Sequence, residues 1–205
     1  MGIRYDKINI SRPDMLCPVE FNDVTEAGSV YIVIHKPNEE DKKCEIEKRK
    51  HFSVAIDVTG SSTTTKFVAT HIDLYVASLT DHTTYIDSIF KIRIWDHYFL
   101  VKKVGKIPLA DIQAFPTPNH FAKEIEHRLI ANVHVPLCRL NGSANWSSTL
   151  NCQTFTRQCI EYLQMDFPQD ITIISDVMPT MVNLYLNGSL LTHQAIEKSN
   201  EALTK

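Results

Sequence analysis

Two nearby stretches of strict alternation constrain most what this chain can fold into. From 51 to 58, Phe52, Val54, Ile56 and Val58 fall on one side of an extended backbone, and His51, Ser53, Ala55 and Asp57 on the other. From 66 to 78 the same period returns, with Ile72, Leu74 and Val76 opposite His71, Asp73 and Tyr75. Gly60-Ser61-Ser62 lies between the two stretches, so together they predict a hairpin of an antiparallel sheet.

Other segments extend this sheet. The β-branched run at 29–35 predicts a strand closed by Lys36-Pro37-Asn38, and further strands are expected at 88–95, 98–104 and 106–112. Phe115-Pro116-Thr117-Pro118 then breaks the pattern. Asn119 is placed to cap a helix over 120–131, whose Phe121, Ile125 and Leu129 recur at helical spacing. After a polar link at 141–151, a helix is expected over 152–165 with Phe155, Cys159, Ile160 and Leu163 as its apolar stripe. A short strand at 171–174 and helices at 179–186 and 192–203 complete the reading.

Strands come first and helices mostly after, which defines an α+β fold with an antiparallel β-sheet packed against helices. A chain of 205 residues with 43% hydrophobic content closes one sizeable core. The expectation is a single domain over 1–205, with 36–50 a charged surface loop or insertion and 192–205 a C-terminal helix.

Charge and cysteine usage exclude several function classes. A net charge of −3, with no clustered Lys/Arg face, offers no footprint for a nucleic-acid backbone. No stretch approaches the ~18 apolar residues of a membrane span, and residues 1–6 lack a signal peptide's apolar core. The cysteines (17, 44, 138, 152 and 159) are odd in number and scattered, as expected of free thiols in a reducing, cytoplasmic setting. No Cys-x-x-Cys or His-x-x-x-His spacing points to a metal, no Gly-rich loop points to a phosphate cofactor, and none is expected.

The chemistry concentrates at Cys152. Ser147, Ser148, Thr149 and Asn151 precede it and are all residues that start helices. The free N–H groups and dipole of a helix start stabilise a thiolate, and the same N–H groups can hold an oxyanion. A base completes such a site. His51 opens a strand on the same face as the small residues Ser53 and Ala55, and His71 lies on the polar face of the next strand. Cys159, on the buried stripe of the same helix, reads as core.

An Asn151-Cys152-x-x-Phe155 helix start downstream of a strand beginning His51-Phe52-Ser53-Val54 resembles the circularly permuted papain-like (NlpC-like) proteins. That group includes lecithin:retinol acyltransferase and its phospholipase relatives. The resemblance implies a permuted papain-like fold, with Cys152 as nucleophile, His51 as base and His71 as the polar residue orienting it. The expected function is that of a cysteine-dependent hydrolase or acyltransferase acting on a peptide, isopeptide or lipid ester carbonyl. The competing expectation is a non-catalytic binding or interaction module on a papain-like or other α+β frame.

Overall fold

Among the described residues, five antiparallel strands form one sheet: β1 (Ser29–Ile34), β2 (Phe52–Asp57), β3 (Lys66–Val76), β4 (Thr84–Ile94) and β5 (Leu100–Lys106). They lie in the order β4-β3-β2-β1-β5. The computed structural model describes residues 17–36, 50–77 and 82–173. The chain divides into two compact units, Met1–Pro168 and Gln169–Lys205. The strands and helices described below belong to the first. Of the second, residues 169–173 are described and form no strand, where one was expected at 171–174; the helices expected at 179–186 and 192–203, and most of the charged segment 36–50, lie outside the described residues.

The hairpin read from the two alternating stretches is the β2–β3 pair, with Ser53 opposite Asp73 and Ala55 opposite His71. Alternation predicts a polar, solvent-facing side for these strands, but that side is buried as well. Every residue of β1 and β2 is buried, and Ser53, His71 and Asp73 are fully enclosed. An aromatic cluster covers this face: Tyr31, Val33, Ala55, Phe67, Ala69 and Tyr98 pack together, flanked by Trp95 and Val101. Trp95 and Tyr98 come from the 3₁₀ turn Trp95–His97 and the residue after it, so the β4–β5 connection folds back over the sheet.

Among the described residues, four α-helices follow: α1 (Leu109–Gln113), α2 (Pro118–Leu129), α3 (Val135–Asn141) and α4 (Cys152–Tyr162). The segment expected to be a strand at 106–112 corrects to the end of β5 followed by α1. Pro108 cannot donate to a ladder but its carbonyl accepts from the N–H groups of Asp111 and Ile112, which closes a helical turn. Helix α2 is capped by Thr117, which accepts from the His120 N–H, rather than by Asn119. Pro118 at its first position sets the helical φ in advance. A π turn over Ile130–His134 joins α2 to α3; periodicity suggested neither that turn nor α3.

Helix α4 packs on β2 and β3. Phe155, Cys159 and Ile160 are fully buried, so the expected stripe is the core-facing one. Burial of the Phe155 and Ile160 side chains stabilises the docked helix by about 1.5–3 kcal/mol each. The helix ends at Tyr162, before the expected 165, because Gln164 turns into the left-handed region at φ 60°.

Candidate active site

Asn151 builds the start of α4. Its side-chain oxygen accepts from the N–H groups of Gln153 and Thr154, both at 3.0 Å. Its amide donates to the carbonyls of Ser147 and Ser148 at 3.2 and 2.8 Å, tying the helix start to the preceding link. Cys152 is therefore the first residue of a firmly capped helix. Capping also narrows the oxyanion expectation. Two of the helix-start N–H groups are occupied by Asn151, whereas the Cys152 N–H meets no acceptor among the described residues. The Cys152 side chain is buried, with 5% exposure.

His51 stands just before β2 and is the ring that Cys152 meets. The Cys152 side chain lies near enough to the imidazole to favour its charged form. Its Nε2 lies 2.8 Å from Oδ1 of Asp73. Tyr75, two residues beyond Asp73 on β3, stacks on the ring at 5.2 Å and 16°. Burial disfavours the charged imidazole, but the Asp73 hydrogen bond and the Cys152 interactions outweigh it and raise its pKa to about 9. Burial likewise opposes ionisation of Asp73. The His51 hydrogen bond and the Lys91 ammonium, 3.5 Å from Oδ2, overcome that and hold the carboxyl well below the usual carboxylate range. At neutral pH His51 is thus an imidazolium held by the Asp73 carboxylate, with the Cys152 side chain beside it.

His71 is near this pair without touching His51 through a hydrogen bond. Its Nδ1 faces Ser53 Oγ at 3.3 Å, its Nε2 faces the Tyr98 hydroxyl at 3.1 Å, and its ring stacks on Tyr98. Burial pushes its pKa well below 6.5 and keeps it neutral. The group hydrogen-bonded to His51 is instead Asp73, two residues along the same strand face.

Asp73 and His35 are the members that sequence reasoning did not single out. Asp73 carried a signal, an acid alternating with Ile72 and Leu74 in an otherwise apolar strand. His35 carried none beyond closing β1. Its N–H donates to the His51 carbonyl at 2.9 Å, which brings the two rings to 5.0 Å. Burial lowers the His35 pKa to about 4. Nitrogens of His35 and His51 and an oxygen of Asp73 all lie within 4.8 Å of one another, close enough to share a metal ion.

No protein-family model, curated protein or solved structure matches the chain. Among the described residues, no helix is long and apolar enough to cross a membrane.

Proposed function

We propose that this protein is a cysteine-dependent hydrolase or acyltransferase of the permuted papain-like kind. The observation that carries the reading is the His51 imidazole, hydrogen-bonded to a buried carboxylate at 2.8 Å and coupled electrostatically to a helix-start thiol. The Cys152 thiolate attacks a peptide, isopeptide or ester carbonyl, forming the C–S bond, and the Cys152 N–H holds the developing oxyanion. His51 gives its proton to the leaving nitrogen or oxygen as that bond breaks, leaving a thioester. Water, or an acceptor nucleophile, then attacks the thioester carbonyl; His51 takes up its proton, and the C–S bond breaks to release the acyl product and regenerate the Cys152 thiolate. Asp73 fixes the ring's orientation and stabilises its charged form throughout. In this scheme Asp73 holds the orienting place expected of His71, and His71 supports the wall behind it through Ser53.

Labelling with an electrophilic thiol probe across pH tests this. Cys152 is expected to react well below pH 8 and to lose that reactivity in His51→Ala. Cys17, whose thiol burial pushes up to about 11, supplies the internal comparison. Labelling of Cys152 no faster than of Cys17 removes the enzyme reading. The 5% exposure of Cys152 would then favour the second one, a binding module on the same frame.

A further inference from the structure

His35 takes no part in the scheme above, yet it sits against the scheme's base, His51, and the carboxylate that orients it, Asp73. Its Nε2 is 3.9 Å from Asp73 Oδ1 and its ring centroid 5.0 Å from that of His51. Two imidazoles and a carboxylate are a common three-ligand set for zinc, with water in the fourth position. The three residues come from the end of β1, the start of β2 and the middle of β3, so no ligand spacing in the sequence announces them. The side chains of His35 and His51 are each partly exposed, which leaves a direction for the water and for entry of the ion.

We propose that His35, His51 and Asp73 form a binding site for a transition-metal dication, zinc fitting best, and that its occupancy switches off the chemistry of Cys152. The regulatory half rests on the thiol-enzyme reading; the binding half does not.

Neighbouring groups suit this role. Lys91 lies on the far oxygen of Asp73, so Oδ1 is the one turned to the two rings. Ser53 Oγ sits 2.9 Å from His35 Nε2 and 3.3 Å from His71 Nδ1. When the Ser53 hydroxyl donates to His71, the His35 lone pair is left for the metal, and His71 Nε2–H donates to the Tyr98 oxygen at 3.1 Å. Ser53, His71 and Tyr98 then form one hydrogen-bonded chain behind the site.

The consequence for catalysis follows from proton balance. A metal bonding to His51 Nε2 displaces the proton there to solvent and takes over the Asp73 oxygen that had accepted it. The ring keeps one proton, on the other nitrogen, and has no lone pair left to accept another. It can no longer cycle between imidazolium and imidazole, so the thiolate loses its proton donor.

The test is a zinc titration of the full chain against a chromophoric chelator, run alongside thiol-probe labelling. One zinc per chain is expected. His35→Ala and His35→Gln should each weaken binding at least about tenfold, since losing a ligand costs no less than losing an outer-shell partner. Cys152→Ser should bind zinc as the wild type does. Zinc should slow labelling of Cys152, and a chelator should restore it. Binding unchanged in both His35 variants, or abolished in Cys152→Ser, overturns the site, the latter indicating simple capture by the thiolate. Zinc bound at the site with Cys152 labelling unaltered overturns the regulation. A Cys152 inert without metal sinks the enzyme reading, while the titration still decides the site.

Discussion

Oδ1 of Asp73 lies 2.8 Å from Nε2 of His51, although the two residues are not cross-strand partners. Ser53 is the residue opposite Asp73, and His51 reaches the carboxylate along the diagonal from two positions away on the same face. The contact exists because the carboxylate is buried, the ring is at the strand's open end, and Tyr75 backs the ring from the other side.

Replacing Asp73 by Asn removes the charge that keeps His51 protonated while preserving the shape of the side chain. Probe labelling of Cys152 at pH 7 is expected to slow by about 10- to 10³-fold, and the His51 pKa, followed by NMR, to fall. Unchanged labelling with a lowered pKa would remove Asp73 from the proposed machinery.

Stability should peak near pH 6.5 and fall on both sides. His51 is raised from 6.5 to about 9, so its contribution is complete below 6.5 and is lost as pH rises through 9. His35 and His71 are depressed, so their contributions are present above 6.5 and are lost as the pH drops and the unfolded chain takes up their protons. Urea midpoints across pH check this, and His51→Ala should flatten the alkaline slope.

Asn151→Ala deletes the cap of α4 and frees the N–H groups of Gln153 and Thr154. It should cost about 1 kcal/mol, within a range of about 0.5–2, in urea unfolding. If the cap also places Cys152, probe labelling should slow beyond what the loss of stability explains. A variant as stable as the wild type would show that the link before α4 does not depend on Asn151.

Tyr98→Phe leaves His71 Nε2 without its partner in a fully buried site. A loss of about 1–3 kcal/mol is expected in chemical denaturation, the cost of a buried unsatisfied group. Cys152 labelling should change little, because Tyr98 meets His71 and His35 and reaches His51 and Asp73 through them. A large loss of labelling at unchanged stability would instead place the His71 chain in the chemistry.

Much of this protein is legible residue by residue, and the boundary has a physical cause. Strands β2 and β3 follow from alternation, because side-chain direction along an extended chain is a local property. The start of α4 follows from Asn151 and Cys152, because a cap involves only residues within one turn. Cys152 and His51 were nameable for the same local reasons, one at a helix start and one at a strand start. Asp73 beside His51 depends on register, and the approach of His35 depends on which strand lies next to β2; neither is encoded in spacing. Burial of the polar face was likewise decided by Tyr98 and Trp95 folding back from a distant turn. The sequence alone therefore determined β2, β3, the start of α4 and the reactive candidates. Tertiary structure decided their partners, because contacts across strands are set by pairing and register rather than by any residue's own preference.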